Sequence, residues 1–186
     1  YPQFAIGLGK TVLLDEDFKI EGFKQIMEND IYTELHEFQY LDDDTVIQIG
    51  SKTHKFQNQK VDSGIISIEN EQKGTKFLWD SIDHVSPEFS KVPTKEWGMN
   101  TNDYFHMNAV RILKDGNYLA SARHTQTIMK IDKTSGKILW HMGKGQLNNF
   151  KFIDDPYDGF SHQHAPEELE NGNILIWDNG IDSIKD

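Results

Sequence analysis

The chain has 186 residues, 37% of them hydrophobic and 26% charged, with a formal net charge of −11 and no cysteine. That apolar content allows a packed core and argues against wholesale disorder. The acidic balance argues against non-specific nucleic-acid binding or docking on an anionic membrane, and the missing cysteine removes disulfides, thiolate nucleophiles and Cys-based zinc sites.

In chain order, strand and turn signals dominate. The run Gly7-Leu8-Gly9-Lys10-Thr11 has a superficial likeness to a phosphate loop, but the first glycine of that pattern would fall at Phe4, which excludes it. Residues 11–14 form an apolar run closed by Asp15-Glu16-Asp17, and 18–29 is the one stretch with a weak helical pattern. Strands are expected at 45–49, 64–68, 76–79, 110–113, 118–122, 127–131, 138–140 and 173–177, separated by turns such as Lys114-Asp115-Gly116-Asn117. Segment 85–102, with two prolines and no strand pattern, reads as a long loop. No apolar run is long enough to span a bilayer. The chain starts at Tyr1 rather than Met, so a leader is expected to have been cleaved or to lie outside this sequence.

Three segments resemble one another. They begin at Leu35 (LHEFQYLDDDTVIQI), Phe105 (FHMNAVRILKDGNYLAS) and Gln163 (QHAPEELENGNILIW). Each runs from a histidine through an Asp/Asn-rich turn to an apolar strand. A second repeat supports the first: Lys73-Gly74-Thr75-Lys76-Phe77-Leu78-Trp79 parallels Ser135-Gly136-Lys137-Ile138-Leu139-Trp140. Short strands, such turns and long repeats predict an all-β fold, a β-propeller. Blades of about 40–50 residues fit roughly three to four times. Residues 1–186 are therefore read as one partial propeller domain, incomplete at one or both ends. A complete small β-sandwich is the alternative. The histidine spacings of 70 and 58 residues place an insertion between Ile49 and Asp103.

In a propeller the innermost strands line the channel, so His36, His106 and His164 are expected to ring one pocket. An imidazole titrating near 6.5 can be a nucleophile, a general acid or base, or a cationic donor. Arg123 shares a strand face with Leu119 and Ser121, and its fork suits a tetrahedral oxyanion; a surface ion pair is the plainer reading. His124 is expected on the opposite face. His162 and His164 form an HxH pair able to bind zinc with His106 or Asp178, unless one of them hydrogen-bonds a loop instead. Asn108 shares the strand face of His106. Asp178-Asn179-Gly180 reads as a turn and His84 as a loop anchor. Trp79, Trp140 and Trp177 are expected to pack between blades.

These residues carry a resemblance. The chain resembles the arylsulfotransferase (aryl-sulfate sulfotransferase) family, most closely its fungal and other eukaryotic branch. The matching stretches are Leu35-His36-Glu37-Phe38-Gln39, Leu78-Trp79-Asp80-Ser81-Ile82-Asp83-His84-Val85, Asp103-Tyr104-Phe105-His106-Met107-Asn108-Ala109-Val110, Gly116-Asn117-Tyr118-Leu119-Ala120-Ser121-Ala122-Arg123-His124, Thr134-Ser135-Gly136-Lys137-Ile138-Leu139-Trp140, Phe160-Ser161-His162-Gln163-His164 and Trp177-Asp178-Asn179-Gly180. The resemblance implies a six-bladed propeller, of which this chain supplies three to four blades. It implies transfer of a sulfuryl group from an aryl sulfate to a phenol by a ping-pong route through a sulfated histidine, with no nucleotide donor. By that resemblance His164 is the nucleophile, and His36, His106 and Arg123 support it. Asn108, two residues after His106 on the same strand face, is expected from that position to donate to a sulfate oxygen. No cofactor and no metal are expected. The implied partners are a small aryl sulfate and a phenol, with no nucleic acid and no membrane insertion, and the implied location is extracellular. Oligomeric state stays open. Two other readings are kept: a non-catalytic extracellular propeller acting as an interaction or structural module, and a metal-dependent hydrolase built on His162 and His164.

Overall fold

The computed structural model describes residues 9–28, 30–91 and 102–180. It contains thirteen strands among these residues and no α-helix. They are β1 Thr11–Leu14, β2 Ile20–Lys24, β3 Tyr32–Asp42, β4 Thr45–Phe56, β5 Gln59–Asn70, β6 Gly74–Asp80, β7 Asn102–Asp103, β8 Met107–Ile112, β9 Tyr118–Ala122, β10 Thr127–Ile131, β11 Ile138–Gly143, β12 His164–Glu168 and β13 Ile174–Trp177. Two short 3₁₀ turns, Ser81–Asp83 and Pro87–Phe89, follow β6.

The strands form four antiparallel sheets in chain order: β1-β2, β3-β4-β5-β6 with β7 added parallel to β5, β8-β9-β10-β11, and β12-β13. None closes on itself among the described residues. The two central sheets are meanders, each strand pairing with the next in sequence. The all-β expectation holds, and three expected strands (11–14, 118–122 and 127–131) match β1, β9 and β10 at both ends.

The weak helical pattern at 18–29 is overturned. Ile20–Lys24 is a strand paired with β1, Val12 opposite Phe23. Asp15 explains the turn: its carboxylate accepts from the backbone of Asp17 (2.9 Å) and Lys19 (2.8 Å), closing a hairpin where a helix would have needed to start. The extra length between Ile49 and Asp103 has a physical source too. β4 and β5 are each twelve residues long and pair in unbroken register from Thr45–Asn70 to Phe56–Gln59. Of the expected loop at 85–102, residues 92–101 lie outside the described residues.

Residues 45–51 of β4 and 61–70 of β5 are buried on both faces, with Ile47, Ile49, Ile66 and Ile68 on one face and polar residues such as Gln48, Ser67 and Glu69 on the other. Ile47, Ile49, Ile66, Ile68 and Trp79 pack against Tyr104, Phe105, Met107, Tyr118, Met129 and Ile131 of the next sheet. A second cluster, Leu113, Leu119, Ile128 and Phe160, joins β8-β11 to Ile174 and Ile176 of β13. Trp79 lies between two sheets as expected, 2% exposed, its indole donating to Gly136 O at 2.9 Å. Trp140 packs edge-on to Phe150. Trp177 departs from the expectation and is 68% exposed.

Candidate active site

β3, β8 and β12 are the first strands of their sheets, and polar links tie them side by side. Gln39 Nε2 on β3 donates to Val110 O on β8 (3.4 Å), and Glu37 pairs with Arg111. Asn108 Nδ2 on β8 donates to Gln163 O (2.8 Å), one residue before β12. The three strands thus meet along one line, and each carries a histidine there.

Each of these strands also breaks register beside its histidine. On β3, Thr33 pairs with Gly50 and Phe38 with Gln48, so five steps along β3 oppose two along β4 and His36 is thrown out of the ladder. On β8, Met107 pairs with Ala122 and Ala109 with Ser121, two steps against one, just after His106. On β12, His164 pairs with Trp177 and Glu167 with Leu175, three steps against two, just after His164. Bulges re-aim side chains and recur at the rims of functional sites. Left-handed backbone accompanies two of them: His106 has φ 50° and Ala165 φ 46°. Such conformations cost about 1–3 kcal/mol each and persist only where surroundings impose them. For His106 the surroundings are clear. Tyr104 and Phe105 before it are fully buried, Tyr104 Oη donates to Val85 O (3.0 Å), and Phe105 packs over Gly64, where any Cβ would stand 2.7 Å from the ring. Anchoring two consecutive aromatics below turns the next residue toward His36.

The result is a histidine cluster. The rings of His36 and His106 lie 5.4 Å apart, nearly perpendicular, and those of His36 and His164 lie 6.0 Å apart. Each Nδ1 is occupied: by Glu34 for His36 (2.7 Å), by Asp103 for His106, and by His162 O for His164 (3.0 Å). A carbonyl only accepts, so His164 carries its proton on Nδ1 and its lone pair on Nε2. Asn179 Nδ2, 3.3 Å from the same Nδ1, is then a neighbour and not a donor to it. Its amide orientation is set by Trp177 Nε1, which donates to Asn179 Oδ1 at 2.9 Å. Burial pushes the His164 imidazole below its ordinary range; the His162 carbonyl opposes this, while His36, Arg123 and His106 push further down. His164 is therefore neutral at pH 7.

Arg123 sits just past the end of β9, at the first residue of the turn, so the strand face assigned to it stops at Ala122. Its backbone N–H donates to His106 O (3.0 Å), and its charge acts on both His164 and His124. Asn108 is 4% exposed with its amide committed to Gln163 O, which ties it to the backbone beside His164.

Four participants were not expected from sequence. His124, assigned to the opposite face, instead stacks on His106 at 4.5 Å with Nδ1 2.5 Å from Asp103 O. The turn after β9 turns it back, which strand alternation cannot foresee. Asp103 and Glu34 precede their histidines by three and two residues, a spacing that could have been noticed. Gln163, fully buried, has its amide nitrogen within 2.9–3.1 Å of Thr127 O, Ser121 Oγ and Ala122 O. It locks the His164 segment onto the neighbouring sheet. Gln163→Leu, similar in size, should cost about 2 kcal/mol by leaving buried acceptors unserved. Denaturant unfolding would measure it; an unchanged midpoint would show that the amide holds nothing.

Asp103, His106 and His124 offer ligand atoms within 4.8 Å of one another, the one such trio among the described residues. The Asp103 carboxylate is engaged by His106 Nδ1 and the Asp103 backbone carbonyl by His124 Nδ1, so both imidazoles already have hydrogen-bond partners there. His162 and Asp178, expected as partners of a zinc site, are not part of it; Asp178 Oδ1 accepts from Ser161 N (3.0 Å) and Gly180 N (2.8 Å).

Burial drives the His124 imidazole down to about 4, Asp103 opposing and His106 adding to the fall. The unfolded imidazole binds its proton near 6.5. Between these values the unfolded chain takes up a proton that the folded one refuses, so stability is full above 6.5 and falls as pH drops toward 4. The expected loss from this residue is about 3 kcal/mol. His141, also held down to about 4 by burial, acts in the same direction. In His124→Asn the fall in Tm between pH 6.5 and 4 should shrink; an unchanged slope would show that His124 is not its source.

An all-β array of antiparallel sheets thus brings together a cluster of imidazoles on which the charge of an arginine acts. The sequence matches the family model described as Arylsulfotransferase (ASST) over residues 19–186, and the chain belongs to that family. Membership supports a sulfotransferase-like enzyme, with aryl sulfates and phenols as the implied substrates. No curated protein and no solved structure matched the chain.

Proposed function

We propose that the protein moves a sulfuryl group from an aryl sulfate to a phenol through a covalent intermediate on His164, without a nucleotide. We further propose that its four sheets are successive blades of a propeller, six-bladed in the complete fold, with β3, β8 and β12 innermost. The observation that carries the first reading is the convergence of three imidazoles, each held at Nδ1, with the one on β12 neutral and its Nε2 lone pair available. Neutral imidazole is the nucleophilic form.

His164 Nε2 attacks sulfur as the sulfur–phenolate bond breaks, and the electron pair leaves on the phenolate oxygen. Arg123, whose charge acts on His164, is assigned the role of stabilising the equatorial oxygens, as cations do in phosphoryl transfer. His36 and His106 supply further N–H donors. Asn108 acts through the Gln163 backbone to hold His164 in place. The acceptor phenol then attacks the sulfated imidazole and regenerates it. The ring separations near 6 Å also weigh against a non-catalytic module, for which scattered imidazoles would be expected.

The test is to mix the protein with 4-nitrophenyl sulfate and a second phenol. Release of nitrophenol together with formation of the new sulfate ester is the expected result. Hydrolysis alone, or no release, would exclude sulfuryl transfer between phenols.

A further inference from the structure

We propose that Glu34 and Asp103 are positioning residues of this site: each clamps the histidine that follows it, so that Nδ1–H is spent on a carboxylate and Nε2 faces the substrate. The two clamped imidazoles carry the protons of the reaction, and the unclamped one carries the sulfuryl group. This rests on the sulfuryl-transfer reading and deepens it.

The same device occurs twice in two sheets. Glu34 Oε2 accepts from both the backbone N–H (2.7 Å) and Nδ1 (2.7 Å) of His36. Asp103 Oδ1 accepts from the backbone N–H of His106 (2.9 Å), and Oδ2 takes its Nδ1. One carboxylate thus fixes both the backbone and the ring of each histidine. Both carboxylates are buried, with side chains 6% and 7% exposed. Both line one hollow of about 10 Å³ together with His106, Gly64 and Met107. His164 differs: a carbonyl holds its Nδ1. A carbonyl fixes a tautomer, whereas a carboxylate also stabilises the imidazolium that forms when a proton arrives.

The surroundings of His106 agree with a proton-carrying role. Asp103 lies beneath it, His124 stacks on one face, Arg123 follows β9, and His36 with Glu34 faces it from β3. His36 in turn faces Glu34, His106 and His164. His124 is neutral at pH 7 and adds no repulsion. Asp103 stays ionised: burial works against its charge, but its hydrogen bond to His106 brings its pKa below the usual carboxylate value.

The chemistry balances. As the S–O bond to the donor breaks, the phenolate oxygen receives the electron pair and takes the proton from Nε2–H of a clamped histidine. When the acceptor phenol attacks sulfur, its proton goes to that same Nε2. The N–S bond breaks, and its electron pair returns to His164. One sulfate ester and one phenol are consumed, and one of each is formed.

The experiment uses Asp103→Asn and Glu34→Gln in the full chain, with donors ranging from 4-nitrophenyl sulfate to 4-methylphenyl sulfate. Nitrophenolate leaves without help; methylphenolate needs a proton. In at least one variant, kcat/KM for the donor should fall little with the nitrophenyl ester and about 10²-fold with the methylphenyl ester. Asp103→Glu or Glu34→Asp should recover part of that loss. Equal losses across donors in both variants would mean that the carboxylates are merely structural, overturning the proposal. Nitrogen-15 spectra of the histidine rings decide the clamp without turnover: Nδ1–H on His36 and His106 is expected, and bare Nδ1 atoms on both would overturn it. A native protein inactive on every donor would instead remove the sulfuryl-transfer reading, with the spectra still reporting on the clamp.

Discussion

His164→Ala is expected to lower release of the donor phenol by on the order of 10⁴-fold or more. The size of this effect follows from covalency: removing a nucleophile removes both half-reactions, whereas removing a supporting group slows them. Nδ1 of His164 is held by the His162 carbonyl, so the lone pair on Nε2 cannot be lost to the other tautomer without breaking that bond. Burial keeps the ring neutral, the form that attacks. In the native protein, donor alone should give a burst of about one phenol per site before any acceptor is added. The variant should show no burst, and added imidazole should recover some turnover by entering the vacated space. A variant that keeps the burst would transfer the nucleophilic role to His36 or His106.

The histidine cluster was legible in the sequence because repetition is a long-range signal that survives ignorance of the exact backbone. Three histidines at the head of three similar strands converge whenever like strands share an axis, and the rings of His36, His106 and His164 do meet. The strands of the β8-β9-β10-β11 sheet were legible from turn chemistry at places such as Asp115 and Gly116. What failed depended on local departures from regular geometry. His124 was misassigned because alternation was carried past the end of β9, where the chain turns. The carboxylates of Glu34 and Asp103 reach their histidines because β3 bulges and because the chain at His106 adopts a left-handed conformation. Neither departure has a residue signature; His106 is a histidine where glycine would be easiest. Gln163, between His162 and His164, has no role assigned from the sequence and is a buried anchor in the structure. The strand β2 was missed because propensity within 18–29 is indifferent and pairing with β1 decides it.

Arg123→Gln is expected to reduce kcat by about 10²–10³-fold, the usual cost of removing one preorganised donor from developing negative charge. It should also move the pH profile. The His164 imidazole lies below its ordinary range first through burial and then through cationic neighbours, Arg123 among them. With that charge gone the folded-state value rises toward 6.5, so more of the ring is protonated and inert on the acid side. The acid limb of kcat/KM must then shift to higher pH, and the variant's deficit must be greatest below neutrality. Arg123→Lys separates the two contributions. It keeps the positive charge, so the acid limb should stay near its native position, but it loses the planar fork that meets two sulfate oxygens at once, so the rate at the plateau should still fall. If the Gln variant loses rate while its acid limb stays fixed, Arg123 acts on the bound sulfate alone and burial suffices to hold His164 neutral. If both variants keep the native rate, Arg123 takes no part in transfer, and charge stabilisation must come from the imidazoles of His36 and His106.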